Sequence, residues 1–204
     1  MLAALLLAAT APHPAALVGL YNGGQMELAA TLVLRPDGRF GYALSYGALD
    51  EEASGTWEAE GDMVRLTTLP TVVPPQFVVE SDTPDIMGGF TLILSNAAIL
   101  RGTPLRVLLF YAPDEAPLSS EVAPDGRVVL PDSRRPNALL PLLPVYPPSG
   151  EPILLTGKSG HRLTVRFEPN DIGKADFRGE PLAIEGDTLV LPRFDRVLRF
   201  RRAR

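Results

Sequence analysis

Residues 17–69 decide the fold, and they read LVGLYNGGQMELAATLVLRPDGRFGYALSYGALDEEASGTWEAEGDMVRLTTL. Apolar residues alternate with small or polar ones in short runs, which is the pattern of strands with one buried face. Arg35-Pro36-Asp37-Gly38 separates two runs, because proline presets φ and glycine accepts the positive φ that reverses the chain. Glu60-Gly61-Asp62 marks a second tight hairpin. The stretch therefore predicts a meander of short antiparallel strands.

The composition fits an all-β globular protein. The chain has 204 residues, of which 46% are hydrophobic and 21% charged, so it can bury a sizeable core without staples. The 21 prolines and 18 glycines are spread between apolar runs, as expected for many short strands joined by turns. The absence of cysteine excludes disulfides, a thiolate nucleophile, cysteine-ligated zinc and a lipid-modified N-terminal cysteine.

The N-terminal residues have the pattern of a secretory signal. Leu2 to Ala9 form a short apolar run, and Ala9-Thr10-Ala11 is a small-x-small cleavage pattern. No lysine or arginine precedes the run, which leaves a buried N-terminal helix as the alternative. We predict that residues 1–16 are a signal segment, with cleavage after Ala11, and that the protein is secreted or periplasmic.

Arginines concentrate at the C-terminal end. A basic tail can bind nucleic acid or anionic lipid, but aromatic residues for base stacking are sparse there. The pattern instead favours a last strand with outward arginines, and we expect no nucleic-acid partner. The arginines are Arg193, Arg196, Arg199, Arg201, Arg202 and Arg204.

The rest of the chain predicts an insertion between two parts of one barrel. The run at 60–66 recurs as Glu185-Gly186-Asp187 and the four residues after it, and 32–36 recurs loosely as 165–169. Residues 96–149 differ from the flanking segments in their sequence pattern. They resemble small β-sandwiches of transthyretin-like and carboxypeptidase-regulatory type. We predict an antiparallel barrel from residues 17–95 and 150–201 with an inserted β segment at 96–149. The alternative is a barrel followed by a small β-sandwich.

Four motifs of the opening follow one another in a characteristic order: Gly19-Leu20-Tyr21, Pro36-Asp37-Gly38-Arg39-Phe40, Gly55-Thr56-Trp57 and Gly61-Asp62-Met63-Val64-Arg65-Leu66. They resemble the lipocalin-like small β-barrels of bacterial envelope proteins, including the barrel of NlpE-type envelope lipoproteins. The resemblance implies an antiparallel barrel with room for an internal cavity. It also implies that an arginine of the last strand, Arg199 or Arg201, packs over Tyr21. Tyr21 stands where lipocalins usually have tryptophan, and without cysteines no thiolate metal sensing carries over.

Residues suited to catalysis or metal binding are sparse. His13 lies beside the predicted cleavage site and His161 lies in a turn, so no histidine pair is available for a catalytic zinc. Ser159 and His161 are too close along one turn for a triad, and no Gly-x-Ser-x-Gly motif is present. The acidic clusters at 50–52 and 80–85 lack calcium-loop spacing and are expected to be solvated. We predict a protein that is not an enzyme and holds no metal or cofactor.

The aromatic residues of the meander are the candidate ligand-binding residues: Tyr21, Phe40, Tyr42, Tyr46 and Trp57. Facing into a barrel, they either fill it or line a cavity. The predicted function is binding of a small apolar ligand or an envelope protein. The alternatives are a structural or interaction module with a filled barrel, and a hydrolase with an unrecognised site. No segment is long and apolar enough to be an integral membrane span.

N-terminal sequencing of the protein from an envelope fraction is expected to begin near Pro12. The physical reason is the leucine-rich run that ends in Ala9-Thr10-Ala11, which is the pattern cleaved by signal peptidases. A cytoplasmic chain that begins at Met1 would contradict export.

Overall fold

The computed structural model describes residues 14–100, 102–131, 134–143, 146–156, 160–194 and 196–203. The predicted cleavage site therefore lies outside the described residues. Nearly all regular structure is β, with 57% strand and 4% helix, which confirms the predicted fold class. Among the described residues, no helix is long and apolar enough to cross a membrane.

The chain divides into two compact units. Unit 1 takes the chain up to Val72 and again from Gly173, and unit 2 is Val73–Ile172. Short strands make up both units. In chain order the elements are α1 Pro14–Leu17, β1 Gly19–Asn22, β2 Leu28–Leu34, β3 Arg39–Tyr46, β4 Leu49–Glu60, β5 Met63–Thr68, β6 Gln76–Asp85, β7 Phe90–Leu94, a 3₁₀ helix Ala97–Leu100, β8 Arg106–Phe110, β9 Leu118–Glu121, β10 Ala138–Leu142, β11 Ile153–Leu154, β12 Gly160–Glu168, β13 Arg178–Glu185, β14 Thr188–Arg193 and β15 Arg196–Arg202.

Unit 1 is a closed eight-stranded antiparallel barrel. Its strand order is β1-β15-β14-β13-β5-β4-β3-β2, so strands from both ends of the chain share one sheet. This arrangement excludes the alternative of a barrel followed by a separate sandwich. Leu198 and Phe200 are fully buried, so this face of β15 points into the barrel. The barrel therefore has no free edge in its hydrogen-bond ladder.

The predicted turns form as expected. Gly38 has a φ of 77°, and the Asp37 carboxylate accepts a hydrogen bond from the Arg39 amide at 3.0 Å. The two Glu-Gly-Asp hairpins join β4 to β5 and β13 to β14, with a positive φ of 62° at Gly61 and 66° at Gly186. The looser repeat is wrong, because residues 165–168 lie in β12 of unit 2, whereas 32–34 lie in the barrel.

A short strap completes the barrel wall where β5 ends. Only the second half of β4, from Gly55 onward, pairs with β5. Beside the first half, the Glu52 amide donates to Gly173 O at 2.8 Å, and the Ala175 amide donates to Glu52 O at 2.8 Å. Thr68 Oγ1 then donates to Ala175 O at 2.8 Å and accepts from the Phe177 amide at 3.0 Å. The strap, residues 173–177, therefore replaces the missing part of β5.

The insertion is larger than the predicted 96–149 segment. Strands β6, β7, β11 and β12 lie within residues 17–95 and 150–201, which the sequence analysis assigned to the barrel, but they belong to unit 2. There β6 pairs antiparallel and β7 parallel to β12, and β11 pairs with β10. The alternating pattern shows that a strand has one buried face, but it does not identify the sheet that the strand joins.

Unit 2 contains two sheets around its own core. A four-stranded sheet has the order β11-β10-β8-β9, and a three-stranded sheet has the order β6-β12-β7. Gly160 allows β12 to approach the β6–β7 connection, because a Cβ there would lie 2.0 Å from Gly89 O. Buried members of this core include Leu92, Val107, Leu109, Leu139, Leu163 and Val165.

An arginine packs over Tyr21, but it is Arg202 rather than Arg199 or Arg201. The Arg202 guanidinium lies 5.9 Å from the centroid of the Tyr21 ring. Its Nη1 donates to Ala16 O at 2.6 Å, and its Nη2 donates to Val18 O. The expectation was wrong because Arg199 and Arg201 lie on the opposite face of β15. Arg202 lies opposite Tyr21 and on the same face as the buried Phe200.

Replacement of Arg202 by alanine is expected to lower the free energy of unfolding by about 1–2 kcal/mol, because it removes two hydrogen bonds and a cation–π contact. Arg201→Ala is the matched control, because Arg201 is adjacent to Arg202 in β15 but lies on the outer face of the barrel. Urea unfolding of both variants measures the difference, and equal stabilities would contradict this role of Arg202.

Candidate functional site

The five predicted aromatic residues all lie in the barrel. Tyr21, Phe40, Tyr42 and Trp57 are buried, whereas Tyr46 is half-buried at the end of β3. The structure brings Phe40 and Tyr42 together around Phe177, at ring-centroid distances of 6.0 and 5.1 Å. Trp57 and Tyr21 are not part of this ring cluster.

The hydrogen bonds of the remaining two aromatics explain their separation. Trp57 Nε1 donates to Arg35 O at 2.9 Å in the β2–β3 turn. Tyr21 Oη donates to Leu17 O at 2.7 Å at the end of α1. Each polar atom is therefore satisfied by nearby backbone, as buried Tyr and Trp side chains usually are.

Side chains fill the barrel interior. Inward-facing residues of several strands have almost no solvent exposure, which means that their surfaces are covered by other protein atoms. Phe177 is one of the three aromatic rings in this interior with at most 1% exposure, and the sequence analysis missed it, since only Ala175 alternates with it in a stretch that precedes β13. The interior residues with at most 1% exposure include Leu32, Leu34, Phe40, Leu66, Phe177, Leu182, Leu191, Leu198 and Phe200.

A buried ion pair lies inside the barrel. Arg193 Nε donates to Glu51 Oε2 at 3.0 Å, its Nη2 donates to Glu51 Oε1, and Tyr42 Oη donates to Glu51 Oε2 at 3.2 Å. The Glu51 and Arg193 side chains are 10% and 21% exposed. The sequence analysis had placed Glu51 in a solvated acidic loop. Glu51 is an even number of residues away from the buried Ala53 and Trp57 in β4, so it lies on the same, inward face of the strand.

The surroundings shift the pKa values of two members of this cluster, Tyr42 and Arg193. Burial, and then the charge of Glu51, raises the pKa of Tyr42 above its ordinary value of 10.0. Burial lowers the pKa of Arg193, but the hydrogen bonds and charge of Glu51 outweigh it, so that pKa is raised. The unfolded chain ionises Tyr42 at a lower pH than the folded chain, so this residue reduces stability as the pH rises above the ordinary value. At neutral pH Tyr42 is therefore a neutral hydrogen-bond donor and Arg193 a cation.

Aromatic rings surround the arginines at this end of the barrel. The Arg193 guanidinium lies 5.1 Å from the Phe177 ring centroid and 4.9 Å from that of Phe194. Arg196 lies 4.8 Å from the Tyr46 ring centroid and donates to its Oη at 2.9 Å. Phe194 has a φ of 51°, a strained conformation for a bulky residue. The cluster is therefore held rigidly by contacts among its own members.

His161 of unit 2 is a buried and fully hydrogen-bonded histidine. Its Nδ1 lies 2.9 Å from an Asp82 carboxylate oxygen, and its Nε2 lies 3.2 Å from Arg135 Nη2. Its ring stacks on Phe90 at a centroid distance of 5.9 Å. A neutral ring that donates from Nδ1 and accepts at Nε2 satisfies both partners. Neither nitrogen is left to act as a general base or as a metal ligand in this arrangement.

No metal-binding constellation accompanies it. Within the part of the chain that the structure describes, no group of three or more His, Asp or Glu side chains is placed to hold a metal ion. The acidic residues of the two clusters named in the sequence analysis form hydrogen bonds and ion pairs within the protein, such as Asp82 with His161 and Glu52 with Lys174.

Unit 2 carries an open groove that the sequence did not indicate. Its volume is about 860 Å³, and it lies between β7, the 3₁₀ helix, the 102–105 segment and the turn at 121–129. Glu121 and Asp125 are the charged side chains that line it. The apolar lining includes Leu92, Leu94, Leu100, Leu105, Val122 and Val129.

Comparison with protein-family models, with curated proteins and with solved structures gave no match. The lipocalin-like character of the opening motifs therefore stays a prediction.

Substitution of Glu51 by glutamine is expected to lower the free energy of unfolding by about 3 kcal/mol, because it leaves the Arg193 charge buried without a counter-ion. Glu52→Gln is a closely matched control. Its side chain is 65% exposed beside Lys174, and loss of an exposed pair costs about 1 kcal/mol or less. Chemical denaturation of both variants at neutral pH measures the two costs, and similar values would contradict an inward-facing Glu51.

Proposed function

We propose that the protein is a non-enzymatic binding protein of the periplasm or the extracellular space. The filled, lipocalin-like barrel is its scaffold, and the groove of unit 2 takes a small apolar ligand. The observation that carries this proposal is the contrast between a covered barrel interior and an open, apolar groove of about 860 Å³.

The dimensions and chemistry of the groove suit a small molecule. Ligand pockets in proteins usually measure about 300–1,000 Å³ and combine apolar walls with a few polar groups. Leucine and valine residues supply the walls here, and Glu121 and Asp125 are the charged residues of the lining. The Asp125 carboxylate accepts a hydrogen bond from the Arg127 amide at 3.0 Å. Burial of an apolar ligand against such walls provides the binding free energy.

The barrel interior is the less suitable site. Phe177 occupies the space beside Phe40 and Tyr42, and the strap that carries it is hydrogen-bonded to β4 and to Thr68. A ligand would have to displace a buried ring and break these hydrogen bonds. We therefore assign the five predicted aromatics to packing and the ligand to unit 2.

The chemistry of the described residues supports a non-enzymatic protein. His161 uses both ring nitrogens, and Glu51 and Arg193 neutralise each other inside the barrel. A general base must reach a substrate proton, and a nucleophile needs an adjacent base. Neither condition is met by these two clusters.

An interaction module is the second candidate. A filled barrel fits a structural role, and the groove of unit 2 would then hold a segment of an envelope protein instead of a small molecule. The N-terminal signal pattern supports an envelope or secreted location for either candidate. The two candidates differ in whether a small apolar molecule binds at saturable stoichiometry.

A dye titration separates the groove from other sites. The uncharged, environment-sensitive dye Nile red suits the purpose, because the charged side chains in the groove are acidic and would repel a fatty acid. We expect saturable binding to the unaltered protein. Ala97→Trp is expected to weaken it about tenfold or more, because Ala97 lines the groove and a bulky ring fills it.

The matched control is Ala98→Trp. Ala98 is the next residue of the same 3₁₀ helix, is exposed, and does not line the groove. This variant is expected to bind the dye like the unaltered protein. Equal weakening in both variants would contradict binding in the groove. No saturable binding to any of the three proteins would favour the interaction module.

A further inference from the structure

The turn between β6 and β7 carries two nearly uncovered apolar side chains. Ile86 is 95% exposed and Met87 is 88% exposed. They are adjacent in sequence and stand at the tip of the turn that follows Asp85. Single exposed apolar residues are common on protein surfaces, but two adjacent large ones at a turn tip form a small apolar knob.

The backbone of this turn is internally hydrogen-bonded. The Met87 amide donates to Asp85 Oδ1 at 2.9 Å, and the Gly88 amide donates to Asp85 O at 3.0 Å. Gly88 has a φ of 79°, which glycine adopts without strain. The turn therefore has a defined shape and leaves these two amide groups satisfied without water.

The base of the turn is fixed to the three-stranded sheet. The His161 amide donates to Gly89 O at 2.9 Å, and Gly160 packs directly against the Gly89 backbone. His161 is itself held by Asp82 and Arg135. Ile86 and Met87 are thus presented on a rigid platform.

We propose that the turn at 85–88 is a membrane-surface contact, in which Ile86 and Met87 insert into the interfacial region of a zwitterionic lipid layer. Burial of the two side chains among acyl chains removes their apolar surface from water. Internally bonded amides lower the cost of placing the turn in a medium that cannot hydrogen-bond. The proposal does not depend on the ligand groove.

The size of the knob favours lipid over a protein partner. A stable protein interface buries about 800 Å² on each side, much more than two side chains supply. A lipid layer needs no complementary shape. A protein with a deep apolar pocket is the alternative occupant, and the experiment below separates the two.

The neighbouring charges favour a neutral rather than an anionic surface. The carboxylates nearest along β6 are those of Glu80, Asp82 and Asp85. Glu80 pairs with Arg166, and Asp82 contacts His161 beside Arg135. The Asp85 carboxylate is accompanied by the exposed Arg162, which lies opposite Thr83 on β12. The charges around the turn are therefore nearly balanced, so the turn offers no net positive charge to anionic lipid. Anionic headgroups should therefore not strengthen the contact.

Depth-dependent quenching tests insertion directly. Ile86→Trp places a fluorophore at the tip, and Leu154→Trp places one at a 71%-exposed site on β11 of the same unit. Trp57, the single native tryptophan, is buried in the barrel and is common to both variants. With vesicles of brominated phosphatidylcholine, we expect quenching of Ile86→Trp and none of Leu154→Trp or the unaltered protein beyond the Trp57 background.

Vesicle sedimentation supplies the second readout. The Ile86→Ser/Met87→Ser protein is expected to lose binding to phosphatidylcholine vesicles about tenfold or more, whereas Leu154→Ser retains it. Both changes are at exposed sites and should leave the melting temperature unchanged. An unquenched Ile86→Trp overturns the proposal. Binding that requires anionic lipid and survives the double substitution also overturns it, since basic residues would then be responsible.

Discussion

Closure of the barrel by the pairing of β1 with β15 is the constraint on which the rest of unit 1 depends. Only two residue pairs, Tyr21 with Arg202 and Asn22 with Arg201, define this register. The short contact is reinforced by Arg202, which bridges to the backbone at Ala16 and Val18. Because the last strand must return to the first, the C-terminal segment has to complete a sheet that the N-terminal segment begins. Every inward-facing residue is buried only when that return has taken place.

The two units differ in whether their packing leaves an open volume for a ligand. In the barrel, the strap and Phe177 occupy the volume in which a ligand would lie, and the Glu51–Arg193 pair is enclosed with them. A buried ion pair adds little net stability compared with apolar residues, but it penalises any arrangement that separates its charges. It can therefore select one packing of this end of the barrel. The open volume lies in unit 2, where β7, the 3₁₀ helix and two turn segments form the walls.

The sequence was informative where a local pattern determines the structure. Alternation predicted strands with one buried face in residues 17–69, as β2 and β3 have, and the Pro-Asp-Gly and Glu-Gly-Asp turns formed as predicted. It did not identify the partners of strands that no tight turn connects, so β6, β7, β11 and β12 were placed in the wrong sheet. Glu51 was read as solvated because a charged residue is rarely buried without a partner, and Arg193 lies far away in sequence. The groove combines residues near 92–105 with residues near 121–129, and no periodic signal connects them.

The two ends of the insertion lie side by side within unit 2. The Asp171 amide donates to Val73 O at 3.0 Å, and the Val73 amide donates to Asp171 Oδ2 at 2.9 Å. This has a kinetic consequence for a chain whose β5 and β13 are separated by the whole insertion. The entropy cost of loop closure grows with loop length, and non-local pairings fold slowly. If unit 2 folds first, β5 and β13 are joined through adjacent residues rather than through a free loop of the insertion's length. The folded insertion then lowers the entropy cost of pairing β5 with β13, and in that case unit 2 folds before the barrel closes.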